Sequence, residues 1–211
     1  MTKKASTPPY SRLRHKSITV CFLGPDGSGK STIIQKLLDH NLPFKRYDYF
    51  HLKPFFKHKA KNYTIVEDPH SKRPYGLIKS LLKLFLFVIQ YNIGWVFNIL
   101  RLKLQSSMII FDRYFDDILV DNLRYRYGGN IRIAKIFRYL IPKPRLYFIL
   151  TTNANVIYNR KKEVSLTELE RQIVEYQKLA DGKRYINIEV NRSPEEIVNE
   201  INSIILNRLN E

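Results

Sequence analysis

The chain is short of acid and of cysteine. Nineteen Asp and Glu stand against thirty-six Lys and Arg, a net charge of +17 over 211 residues. A surface of that sign suits a polyanion, a phosphorylated small molecule or an anionic membrane face, or it only aids solubility. A single cysteine, Cys21, excludes a disulfide framework and a thiolate-rich metal site. It lies inside an apolar run and reads as a small buried hydrophobe. No His/Cys/Asp cluster has zinc spacing. The first sixteen residues lack the apolar core of a signal peptide, so a cytoplasmic setting is expected. The run Leu84–Leu100 is free of charge but contains Gln90, Asn92, Gly94 and Asn98. A bilayer span needs about twenty mostly apolar residues, so a buried helix is the better reading. Such a helix can also pack on a second subunit or lie on a membrane surface.

What is present is core-forming: 44 % of residues are hydrophobic and 13 % aromatic, enough to bury an ordinary domain. Residues 1–16 read as a disordered basic tail with Lys3, Lys4, Arg12, Arg14 and Lys16 and no acid. Residues 17–211 read as one domain. Apolar runs rich in β-formers predict strands at 18–23, 46–52, 107–111, 146–150 and 185–190. Helical spacing predicts helices from Lys30, over 77–104 (one helix or a pair), and over 131–140, 154–162, 166–180 and 194–208. Ser193-Pro194-Glu195-Glu196 is a helix start, with Ser193 as N-cap. Segment 53–76, broken by Pro54, Pro69 and Pro74, reads as irregular. Alternating strands and helices imply an α/β fold: a parallel sheet with helices on both faces, three layers in all.

Gly24-Pro-Asp-Gly-Ser-Gly29-Lys30-Ser31 fits G-x-x-x-x-G-K-[ST], with a strand before it and a helix after it. In such a P-loop, Gly24, Gly27 and Gly29 let backbone N–H groups curl around phosphate oxygens, with Asp26 and Ser28 on the same loop. Lys30 then reaches the β- and γ-phosphates of ATP, the Ser31 hydroxyl binds Mg²⁺, and Thr32 adds a contact to the α-phosphate. Asp112-Arg113-Tyr114 follows a strand directly, where the carboxyl ends of parallel strands line a crevice. Asp112 there can face Mg²⁺, and Arg113 can clamp an anion.

With both motifs the sequence resembles the thymidylate kinase family over most of residues 17–208. GPDGSGKST is similar to that family's loop and FDRY to its D-R-[YFH] motif. Leu150–Arg160 resembles its passage into a mobile lid, here about 160–167. The resemblance implies a three-layer P-loop NTPase fold and a kinase using ATP and Mg²⁺. It also implies a lid arginine, for which Arg160 is the match, and often a homodimer, here through helices within 77–105. The acceptor half departs from the pattern, with His51-Leu-Lys-Pro54 in place of an R-E-P-G-G-T-like segment. A divergent group of thymidylate-kinase-like proteins, associated with surface-polysaccharide genes, shows similar features: H-x-[RK]-P, Asp68-Pro69-His70, F-D-R-Y-x-x-D and R-Y-G-G.

A nucleoside monophosphate is therefore the acceptor the family implies, and a sugar or glycan hydroxyl the alternative. A hydroxyl acceptor needs a carboxylate to take its proton, and a phosphate monoester does not. Asp26 and Asp116 are the candidate bases; on a helix Asp116 would share a face with Asp112, four residues before it. Asp116 or Asp117 can equally pair with Arg113, Arg124 or Arg126. Lys53, His70, Arg73, Tyr114, Asp116 and Arg124 are the acceptor-side candidates, with His51 a weaker one; Tyr125 and Tyr127 can stack on a base or a sugar. A P-loop ATPase or a nucleotide-binding scaffold remains as a further class. Nucleic acid is not an expected partner, and peripheral membrane contact is compatible with any of these readings.

Overall fold

A computed structural model describes residues 16–40, 42–55 and 70–211. Residues 1–15 of the basic tail, and Asp68 and Pro69 of the D-P-H segment, lie outside the described residues. Five strands appear where the apolar runs put them: β1 (Ile18–Leu23), β2 (Arg46–His51), β3 (Ser107–Asp112), β4 (Leu146–Thr151) and β5 (Tyr185–Glu189). All pair in parallel, in the order β2-β3-β1-β4-β5. Every residue of β1, β3 and β4 is buried, as a parallel sheet covered on both faces requires.

Successive residues point to opposite faces of the sheet, and the core divides accordingly. Ile18, Val20, Phe22, Met108, Ile110 and Phe148 meet α1 (Lys30–Asp39) and α8 (Pro194–Asn210). Cys21, Leu23, Ile109, Phe111, Tyr147 and Ile149 meet α2 (Leu77–Gly94), the single turn α4 (Asp117–Val120), α5 (Ile131–Phe137) and the end of α7 (Leu166–Gln177). Cys21 is fully buried, as expected. Ser193 caps α8 by accepting the Glu196 N–H at 3.3 Å, with Pro194 in its first turn.

The predicted helix 77–104 is one continuous run. It comprises α2, a π-turn at Trp95–Ile99, and α3 (Leu100–Lys103). Gly94 sits at the switch because a Cβ there would come within 2.6 Å of Pro54. The extra residue in the turn lies beside Trp95, whose ring stacks on Phe111 with 6.2 Å between centroids. Three helices end earlier than their patterns suggest; the predicted helix 166–180 is α7, which stops at Gln177. Residues 138–140 of the predicted helix 131–140 form a 3-10 turn. The predicted helix 154–162 is α6 (Ala154–Arg160), because Lys161 adopts extended backbone. Residues 161–165 therefore form the loop between α6 and α7.

Candidate active site

The order of the sheet reverses at β1, which has β3 on one side and β4 on the other. A crevice opens at the carboxyl ends of the strands where that reversal occurs, and the loop 24–29 enters it. At Gly24 the backbone φ is 140°, and a Cβ would lie 2.5 Å from the Leu150 carbonyl, so no side chain fits. The following helix α1 has no side-chain cap on its first N–H groups. Those donors and the positive end of the helix dipole point into the crevice.

The Lys30 ammonium is buried and donates to the carbonyls of Gly24 and Pro25, both at 2.7 Å. Burial, with the Arg113 charge, pulls its pKa down to about 7 against the opposing pull of Asp112 and Asp117. Asp112 ends β3, in register with His51 of β2 and Phe22 of β1. Its Oδ2 accepts the Tyr49 hydroxyl at 2.8 Å and lies 3.7 Å from His51 Nδ1. Burial alone would raise this carboxyl, but His51, Lys30, Tyr49 and Arg113 outweigh it and hold it at about 2. Among the described residues its Oδ1 is buried with no hydrogen-bond partner.

Beside this pair lies a network of ion pairs. Arg113 donates to both Asp26 and Asp117. Asp26 also receives Arg124, whose Nη2 is 3.1 Å from Glu163 of the α6–α7 loop. Lys161 pairs with the other oxygen of Glu163 at 2.5 Å. Asp117 is fully buried and accepts the hydroxyls of Tyr125 (3.2 Å) and Tyr176 (2.9 Å). Asp26, Ser31, Thr32, Asp112, Arg113 and Arg124 line one cavity of about 790 Å³, with Arg160 at the exposed end of α6 on its rim.

The acceptor-side candidates do not all converge there. Tyr114 is a core residue, its hydroxyl donating to the Pro142 carbonyl at 2.6 Å. Asp116 is buried on the far side, held by Arg138 at 2.6 Å and the Tyr185 hydroxyl at 3.2 Å. The shared face with Asp112 does not exist, because Arg113 takes a left-handed φ of 69° and no helix runs from 112 to 116. Lys53 faces a separate groove, 4.3 Å above the Phe87 ring. His70 pairs with Asp121 at 2.7 Å, and Arg73 is exposed, its carbonyl accepting the Arg126 guanidinium. Tyr125 and Tyr127 are buried, so neither offers a stacking face. The sequence reading missed Glu163 and Arg192, which also line the cavity. Arg192 lies three residues past the end of β5, so the rule that strand ends line the crevice, which singled out Asp112, also reaches its neighbourhood.

The chain has the three-layer P-loop fold of the thymidylate kinases. No family model matches its sequence. Among solved structures it is similar to thymidylate kinase from Ehrlichia chaffeensis, at 17 % identity over 90 % of this chain and 99 % of that one, with a TM-score of 0.59. It is also similar to thymidylate kinase from Candida albicans, an enzyme described as having broad substrate specificity. There the identity is 18 % over 93 % of this chain and 94 % of the other, with a TM-score of 0.61.

Proposed function

We propose that the protein is an ATP-dependent kinase that moves the γ-phosphoryl group of Mg·ATP to a nucleoside monophosphate. The observation that carries this reading is the convergence of Arg113 and Arg124 on Asp26, beside Lys30 and the open N-terminus of α1. Two guanidinium groups at the end of a phosphate-binding loop form a clamp for a second anion. The hydroxyl-acceptor alternative needs a carboxylate base. Asp116 is buried away from the crevice, Asp26 is committed to two arginines, and Asp112 is held too acidic to accept a proton well. A phosphate acceptor is already anionic and needs no base.

In this reading Lys30 exchanges its loop carbonyls for phosphate oxygens, while the free N–H groups of α1 hold the chain of phosphates. Ser31 and Asp112 fit a Mg²⁺ ion, since the donor set is hard oxygen and the buried Asp112 Oδ1 lacks a partner among the described residues. When bound, that ion neutralises charge on the transferring group. Arg113, fixed from behind by Asp117, holds the acceptor phosphate, and Arg160 closes from the rim. An acceptor oxygen forms the new P–O bond as the bond from the γ-phosphorus to the bridging oxygen breaks, and ADP leaves with that oxygen. No proton has to be removed.

The test is ADP formation from Mg·ATP with a panel of nucleoside monophosphates, using Lys30→Ala as control. Turnover with at least one monophosphate, falling by about 10³-fold or more in Lys30→Ala, is the expected result. Silence across the panel with ATP still bound overturns the acceptor class.

A further inference from the structure

All five strands run in one direction, so they begin on one side of the molecule, opposite the crevice at their carboxyl ends. That side is basic. Lys45 and Arg46 lead into β2, Lys103 stands four residues before β3, and Lys16 precedes β1. Lys143 and Arg145 precede β4, and Lys183 and Arg184 precede β5. Contacts join these segments into one patch. The Lys45 N–H donates to the Ser106 carbonyl at 3.0 Å, and the Ser106 hydroxyl to the Lys16 carbonyl at 3.2 Å. The Ser17 hydroxyl donates to the Lys103 carbonyl at 2.6 Å, Arg145 to the Arg208 carbonyl at 2.9 Å, and Arg208 to the Lys183 carbonyl at 2.6 Å. With strands about 4.8 Å apart, the patch extends roughly 19 Å across the sheet.

Part of this charge serves the fold: Lys16, Arg145 and Arg208 bind backbone carbonyls, and Arg46 pairs with Asp48. Lys45, Lys103, Lys143, Lys183 and Arg184 make no ion pair among the described residues. Of the acids on this side, Asp48 is buried on Arg46, Asp181 holds three backbone N–H groups and Glu211 pairs with Arg208, which leaves Asp39 at the end of α1. The cations crowd one another. Burial and the Arg145 charge lower the Lys103 pKa, and burial, Arg138 and Arg184 outweigh Asp116 to lower that of Lys143. The chain ahead of β1 attaches here at Lys16 and carries Lys3, Lys4, Arg12 and Arg14 with no acid. An aromatic ring stands beside the cations: Tyr139 is 80 % exposed, with the Lys143 ammonium 5.3 Å from its centroid. A strip of cations with an exposed ring fits a phosphate backbone whose unpaired bases stack. A flat anionic bilayer would press Asp39, Asp181 and Glu211 against its own phosphates, whereas a single strand passes between them.

We infer that the side where the strands begin binds single-stranded nucleic acid, with Lys45, Lys103, Lys143, Lys183 and Arg184 on phosphates and Tyr139 under a base. This departs from the sequence reading, because a net charge does not show that cations from separate segments share one side. The crevice stays open at the other end of the strands, and the inference does not depend on the kinase reading.

The full chain is titrated into a fluorescein-labelled single-stranded DNA of about 20 nucleotides, and anisotropy is followed over a series of salt concentrations. Binding in the micromolar range is expected at about 0.1 M salt, weakening steeply as salt rises. Lys45→Ala, Lys183→Ala and Arg184→Ala together are expected to weaken it at least tenfold. They should also flatten the logarithmic salt slope by about 2, the loss of three phosphate contacts. Tyr139→Ala is expected to weaken binding about tenfold with the slope unchanged. A control triple, Lys72→Ala, Arg73→Ala and Lys79→Ala, removes the same charge at the opposite end of the helical run from Lys103 and is expected to bind as the parent does. All these side chains are exposed, and an unchanged thermal melt verifies that the fold is kept. Equal losses in the two triples, an unaffected Tyr139→Ala, loss only when Lys3, Lys4, Arg12 and Arg14 are changed to Ala, or no binding at all overturns the inference. So does co-sedimentation with phosphatidylglycerol vesicles in the absence of DNA binding, which would give this side to a membrane.

Discussion

Arg113 combines three constraints in one residue. Its backbone sits in the left-handed region, which costs a side-chain-bearing residue about 1–2 kcal/mol. Its N–H is anchored to the Phe22 carbonyl at 3.0 Å, and its guanidinium is gripped by Asp26 and Asp117. That conformation turns the chain away from β3, so Asp112 faces the crevice while Asp116 faces Arg138 and Tyr185. Asp117 acts as a positioning residue, since it reaches the crevice only through Arg113. Asp117→Asn leaves a buried guanidinium without its full counter-charge, and we expect a stability loss of about 3 kcal/mol, read in urea unfolding. Tyr125→Phe removes one neutral donor from the same carboxylate and is expected to cost about 1 kcal/mol. Because Tyr125→Phe leaves the charges in place, it is the variant for kinetics. A raised KM for the acceptor with KM for ATP unchanged is the expected split. These contacts join residues from three elements, and no spacing in the sequence showed that Asp117 rather than Asp116 would hold Arg113.

At the scale of elements, the strands and helices were largely legible because their signals are local. Apolar runs gave β1, β3 and β4, with Gly24-Pro25 ending the first and Pro142 and Pro144 introducing the last, and Ser193-Pro194 marked the start of α8. The ends of α5, α6 and α7 were not legible, since apolar or basic residues continue past the point where the backbone changes. The turn into β5 is held by Asp181, whose carboxylate accepts the backbone N–H groups of Lys183, Arg184 and Tyr185, each at 2.8 Å. Desolvation alone would raise this carboxyl, but the three donors together outweigh it and keep it below the usual range. A depressed carboxylate contributes stability above its unfolded pKa and loses it as pH falls through the folded value. Asp181→Asn is therefore expected to be less stable than the parent at pH 7, by less than about 1 kcal/mol because the group is exposed. The two should converge as pH falls below the ordinary carboxylate range and through the depressed folded value, the denaturation midpoints being the measurement.

For the whole molecule, the sheet order places the loop 24–29, the end of β3 and the α6–α7 loop around one cavity of about 790 Å³. A ligand that binds only the folded cavity should stabilise the entire domain: ATP at about 100 times its Kd is expected to add about 2.7 kcal/mol. The resulting rise in melting temperature should be absent in Lys30→Ala. The sequence by itself determined the strands and helices, the phosphate-loop pattern and the strong positive charge, because each is written in neighbouring residues: periodicity, fixed spacing and composition. Only the tertiary structure decided which carboxylates face the cavity, that Tyr114, Tyr125 and Tyr127 are core, and that Glu163 and Arg192 reach the cavity. It alone also showed that, among the described residues, side chains along one face of α2 stand exposed. Those outcomes depend on where a left-handed residue, a π-turn and the crossovers aim side chains from distant parts of the chain. That direction is set only when the layers pack.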